Sequence, residues 1–144
     1  MILFKLELYK YMIKIFIIIL FTLPSWADVE EEIKISSDNV NITELTNKVI
    51  FSKNLVIDSG LLVISAEEAI YDNSSKVIEI SGRPSSLKSL SETNKFEGSA
   101  SRIIFYSNDM VHLLGSAKMK YENMTISSNK IIFSPRSGLI SSNQ

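Results

Sequence analysis

The chain of 144 residues contains no cysteine, which excludes both a disulfide framework and a lipoprotein acylated at cysteine. It has one histidine, His112, on which any metal site or Ser-His-Asp triad would have to rest. No Walker loop, dinucleotide fingerprint or HExxH occurs. Beyond the first 27 residues no window shows a helical period. From residue 28 onward there are 12 Lys+Arg against 15 Asp+Glu, with no basic patch or stripe. That balance excludes a typical nucleic-acid binder.

The first 27 residues read as an export leader. Lys5, Lys10 and Lys14 form a basic start opposed only by Glu7, and Ile15 to Leu23 is an apolar run ended by Pro24. Ser25 and Ala27 place small residues three before and one before a cut at Ala27-Asp28. The competing reading is an uncleaved anchor. Counted even from Met12 the apolar stretch is 12 residues, whereas a spanning helix needs roughly twenty. Cleavage would leave residues 28–144 as one small domain.

Those residues are patterned for strands. Val49, Phe51, Leu55 and Ile57 are spaced by two or a multiple of two, with Ser52, Lys53, Asn54 and Asp58 among their neighbours. Successive strand side chains point to opposite faces, so this spacing makes one apolar face and one wetter face. All five glycines are expected at turns: Gly60, Gly82, Gly98, Gly115 and Gly138. Pro84, after Gly82-Arg83, should end the strand Val77 to Ile80. Asp72-Asn73-Ser74-Ser75 and Ser107-Asn108-Asp109 read as polar hairpin loops.

A loose repeat underlies the pattern. Ser65 to Tyr71 followed by Lys76 to Gly82 is echoed by Ser99 to Phe105 followed by Met110 to Gly115. Ser127 to Phe133 starts a third copy, and Lys48 to Asn54 closes an earlier one. Each unit is a hairpin, the spacing between units is about 28 to 34 residues, and a single unit cannot bury its apolar face alone, so the units must stack. The first strand (Ile33, Ile35) and the last (Phe133 to Ile140) lack evident blockers, which invites pairing with another sheet.

Catalytic groups are not evident. His112 lies between Val111 and Leu113 and reads as an outward strand residue. Glu30-Glu31-Glu32 reads as a solvated linker, and Glu67-Glu68 cannot share one strand face. The N-x-[ST] matches at Asn41, Asn73 and Asn123 are expected by chance in a chain so rich in Asn and Ser. The reading is therefore non-enzymatic, with no catalytic residue, metal or cofactor expected. What remains is the apolar face, and composition alone serves a closed core or a lipid groove equally well.

The sequence also resembles a known family. Ile33-Lys34-Ile35-Ser36-Ser37-Asp38, Val49 to Ile57 and Ser65-Ala66-Glu67 are similar, in order, to the OstA-like domain of periplasmic lipopolysaccharide-transport proteins. Gly82-Arg83-Pro84 looks like that family's G-x-P turn, Glu97-Gly98-Ser99-Ala100 like its E-G-x-A opening, and Leu114-Gly115-Ser116-Ala117 like its L-x-G-x-A. The resemblance runs from Ile33 to about Leu139. It implies an all-β fold, a twisted and incompletely closed antiparallel β-jellyroll built from repeated hairpins, whose interior takes the acyl chains of lipid A.

The positions implied to face that lipid are Ile33, Ile35, Ile42, Val49, Phe51, Leu55, Ile57, Leu62 and Ile64, then Ile78, Leu87, Ile103, Phe105, Leu113, Met119, Ile126 and Phe133. Ile50, Val56 and Ile104 are apolar at the opposite parity, which blurs the assignment of faces. The resemblance further implies a periplasmic location and head-to-tail copies bridging an inner-membrane transporter complex and an outer-membrane assembly. Two alternatives stay open: a membrane-anchored partner of the same pathway, and a structural β-repeat protein with a dry core. Mass spectrometry of the exported protein separates bridge from anchor: a bridge protein begins at Asp28, whereas an anchored one keeps the apolar segment.

Overall fold

In a computed structural model, residues 32–143 are described; the leader expected at 1–27 lies outside them. Among these residues nine strands form one antiparallel sheet: β1 (Lys34–Ser36), β2 (Asn39–Thr43), β3 (Lys48–Asp58), β4 (Leu62–Asp72), β5 (Val77–Ser89), β6 (Phe96–Phe105), β7 (Val111–Tyr121), β8 (Met124–Phe133) and β9 (Ile140–Asn143). From β3 to β9 every strand pairs with its sequence neighbour, while β1 and β2 share the free side of β3. The two ends of the sheet do not pair with each other, so the fold is all-β and incompletely closed.

Alternation drives each strand. In β7, Val111, Leu113, Ala117 and Met119 are buried, while His112, Lys118 and Lys120 face the other way. A single sheet with one apolar face must cover that face with something. Here it covers it with itself. Phe96 pairs with Tyr121 at one end of β7, and Val111 at the other end pairs with Phe133. A straight strand of eleven residues would hold those ends about 33 Å apart. Yet the Phe96 and Phe133 rings sit edge to face with centroids 4.5 Å apart. The long strands therefore double back.

The fold line is visible in the register. Each consecutive strand pair from β3–β4 to β7–β8 shifts register at its middle: between Ser52 and Leu55, Ser65 and Glu68, Ser81 and Ser85, Ser99 and Arg102, and Leu114 and Ala117. Such bulges bend a strand and increase its twist. Aligned across the sheet, they make a crease. On one side lies layer A (β2, the first half of β3, the second half of β4 and so on to β9). On the other lies layer B, which begins with β1 and ends with the first half of β8.

The crease corrects the expected glycine placement. Gly82, Gly98 and Gly115 lie inside β5, β6 and β7, not between strands. At Gly115 the backbone takes φ +78, and Lys53 and Asn54 take φ 66 and 50 at the same line in β3. Pro84 is likewise within β5, because residues 82–84 have no ladder partner on either side and the missing N–H leaves no gap. Hence two expected strands merge into each long one, as Val77 to Ile80 and the segment around Leu87 do in β5. The stretch from Phe133 to Ile140, expected as a last strand, is mostly a turn at 134–139 between β8 and β9.

Where the layers converge, large side chains do not fit. Ala69, Ser85, Ala100 and Ala117 line the inside of the crease, each 0 or 1% exposed. The Ser85 hydroxyl is buried there without a hydrogen-bond partner. Leaving such a group unsatisfied costs about 1–3 kcal/mol. Ser85→Ala should therefore raise unfolding stability by roughly 1 kcal/mol in urea titration. Gly82→Ala should lower it, since the new Cβ would lie 2.9 Å from the Ser85 backbone nitrogen.

Candidate functional site

The candidate site is the inner face shared by the two layers. Layer A contributes Ile78, Ile103, Phe105, Leu113 and Phe133; layer B contributes Leu55, Ile57, Leu62, Ile64, Leu87 and Met119. All eleven were expected on this face, and all are buried at 3% exposure or less. The layers touch directly: a Cβ on Gly98 would lie 3.2 Å from the Leu113 Cδ1 and 3.3 Å from that of Leu87. Buried polar side chains here are Ser59 and Ser85 alone among the described residues. The interior offers no group for acid-base chemistry. No cluster of three or more metal-binding side chains occurs among the described residues.

Toward the two ends of the sheet the inner face comes into the open. Ile35, Val49, Phe51 and Ile126 are half-buried. Two of the expected inward residues are not buried. Ile42 sits on the inner face, opposite Val49 in the ladder, but is 69% exposed because nothing in layer B reaches across from it. Ile33 precedes β1 and is 38% exposed. The outer parity of Ile50, Val56 and Ile104 holds: Val56 is 40% exposed and the other two are half-buried.

Several inner residues escaped the sequence reading. Ile80, Val111 and Ile131 each lie two positions from an assigned residue, so parity alone would have found them. Val40, Tyr71, Phe96 and Tyr121 complete the margins. Of the eight large apolar side chains left exposed, Ile33, Val40, Ile42 and Leu45 lie at the β1–β2 end, and Met124 and Leu139 at the β8–β9 end. The edges match this distribution. β9 pairs only with Lys130 to Phe133, leaving the first half of β8 without a partner on its outer side.

The outer face of layer B is largely polar, whereas that of layer A also carries Ile50, Ile70, Ile104 and Ile132. A cleft of about 590 Å³ on layer B is flanked by Lys88, Glu97, Lys118 and Lys120. Its charged lining suits hydrated groups, not acyl chains. On layer A, His112 faces outward, with its Nδ1 3.4 Å from the Tyr106 hydroxyl.

Residues 34–138 match the family described as LptA/(LptD N-terminal domain) LPS transport protein. The chain belongs to this family. It is 25% identical over 122 residues to the lipopolysaccharide export system protein LptA of Escherichia coli K12, covering 78% of the chain and 66% of that relative. The LptA of Shigella flexneri matches over the same span at the same identity. The chain thus spans just under two thirds of the length of these curated relatives. Among solved structures, LptH of Pseudomonas aeruginosa, titled the LptA-homologous periplasmic component of a lipopolysaccharide transport device, superposes with a TM-score of 0.71. That match covers 82% of this chain and 86% of LptH at 15% identity, and it shows the shared LptA-like fold.

In this LptA-like chain the outward histidine gives a pH test. Desolvation, and then the Lys130 charge, hold His112 below its ordinary value of 6.5. The unfolded chain therefore takes up the proton first as pH falls. The stability that His112 contributes is complete above pH 6.5 and is lost as pH drops through the lowered value. His112→Gln should flatten the fall in urea midpoint between pH 7.5 and 5.

Proposed function

We propose that this LptA-like protein binds lipopolysaccharide in the periplasm and carries it from the inner to the outer membrane along its apolar inner face. The observation that carries this reading is the placement of exposed apolar residues. Among the described residues six of the eight lie at the two ends of the sheet, beside an otherwise closed apolar interior, with Val56 and Leu90 the exceptions. An ordinary closed core has no reason to spill out at its ends.

The energetics fit. Each methylene kept from water is worth roughly 0.8 kcal/mol, so a twelve-carbon acyl chain exposed to water costs on the order of 10 kcal/mol. Parting the layers to admit that chain exchanges one apolar contact for another. The net cost is then small compared with the cost of leaving the lipid in water. Because the inner side chains are apolar apart from Ser59 and Ser85 among the described residues, no position along the face would form a deep trap. Direction would come from an energy source outside this chain, since a passive face cannot bias movement.

The same ends suggest the partners. Copies would join head to tail, the β1–β2 end of one against the β8–β9 end of the next, so that their inner faces run on without a break. The terminal copies would meet an inner-membrane transporter complex and an outer-membrane assembly. Residues 1–27 would direct export and be removed. The unpaired half of β8 offers backbone donors and acceptors for such a joint.

Two substitutions separate a lipid path from a structural core. Ile42→Asp changes an exposed residue, and the unfolding free energy from urea titration should stay within about 0.5 kcal/mol of the parent, while lipid A binding falls severalfold. Ile57→Asp buries a carboxylate in the closed core and should prevent folding altogether. Unchanged lipid A binding by folded Ile42→Asp would refute the inner-face path.

A further inference from the structure

The two ends of the sandwich are fastened differently. At the β8–β9 end, Phe96 of layer B meets Phe133 of layer A edge to face at 4.5 Å. Just beyond Phe133, the turn at 134–139 crosses from layer A toward layer B. A Cβ on Gly138 would lie 3.1 Å from the Tyr121 Oη, so the turn rests on that ring. The turn is held in shape. The Ser134 N–H donates to the Leu139 carbonyl at 2.9 Å, and the Gly138 N–H to the Ser134 carbonyl at 2.8 Å. The Arg136 guanidinium donates to the Asp109 carboxylate at 2.7 Å, tying the turn to the β6–β7 hairpin of its own layer. Pro135, within the turn, is buried.

At the β1–β2 end the turn is likewise tied to a hairpin of its own layer, through hydrogen bonds of Asn47 with Asn73 and Ser74, but among the described residues no aromatic contact spans the layers there. The corresponding layer A connection, Glu44–Thr46, buries none of its residues, and Leu45 is fully exposed. Val40 and Ile42 stand uncovered on the inner face beside it. A chain wedging the layers apart meets less resistance where fewer contacts must break.

We propose that the 134–139 turn, resting on Tyr121 and backed by the Phe96–Phe133 contact, is a strap that keeps the β8–β9 end shut. An acyl chain then enters at the open β1–β2 end and reaches the far interior only when the strap lifts. This rests on the lipid reading given above. The strap residues position the layers and need not touch the lipid; Arg136 acts through the turn it anchors.

The test uses purified lipid A in detergent micelles with a photoreactive leucine placed at position 42 or at position 113. Position 42 reports on the open end, and Leu113 lies buried toward the strapped one. Arg136 is an exposed side chain, so Arg136→Ala loosens the strap without opening a cavity. It should raise lipid adducts at 113 severalfold while leaving those at 42 unchanged. Conversely, Tyr121→Cys with Ser137→Cys, the only thiols in the chain, can be joined by a short bismaleimide. The locked protein should keep its adducts at 42 and lose most at 113. Equal labelling at 113 in the loosened and locked proteins overturns the strap but leaves the lipid path standing. Absence of adducts at both positions in unlocked, folded protein overturns the two together. A change in general stability alone would move both probes in step, so it is the ratio between them that decides.

Discussion

Everything in this structure depends on one apolar sheet face having to cover itself. A sheet that stayed flat would leave Ile57, Ile64, Ile103 and Phe133 in water; each is instead fully buried. Burying a side chain of that size is worth about 1.5–3 kcal/mol, far more than the ladder bonds lost at five bulges if those groups reach water instead. The crease is thus the cheapest closure available to a chain without helices or disulfides. The small residues along it, the glycine at positive φ in β7 and the proline tolerated within β5 all follow from that single bend.

Self-covering also bears on the proposed lipid path. In a closed globule a buried leucine is fixed by neighbours on every side. Here the opposing neighbours belong to a second layer that is joined to the first by ladder bonds only through the crease and otherwise by apolar packing. On the reading proposed above, the two inner faces would part without any strand leaving its ladder partners, and an acyl chain between them would restore the apolar contacts that parting removes. The outer face of layer B, with Lys88, Glu97, Lys118 and Lys120, would stay in water.

The sequence disclosed the faces better than the folding. Parity placed Leu55 and Ile57 inward and Val56 outward, because alternation is a local property of the strand, and the family resemblance placed Leu113 and Phe133 inward. The hairpin repeat was legible too, as were the family motifs. The crease was not, because Gly82-Arg83-Pro84 and Gly115-Ser116 carry the same chemistry as a hairpin turn. Only the ladder registers on both sides distinguish a bend within a strand from a turn between two. The exposure of Ile42 was hidden for a different reason: alternation says which face a residue occupies, never whether another layer lies across from it. Phe96 was missed because the loop before it interrupts the pattern that would have set its parity.

The crease leaves a mark that bears on length. Its buried small residues, Ala69, Ser85, Ala100 and Ala117, recur every 15 to 17 residues, one for each of the four central strands β4 to β7. Each crossing widens the sheet by one interstrand spacing, about 4.8 Å. The interior thus grows by accretion, in equal steps, and a longer one needs only more crossings.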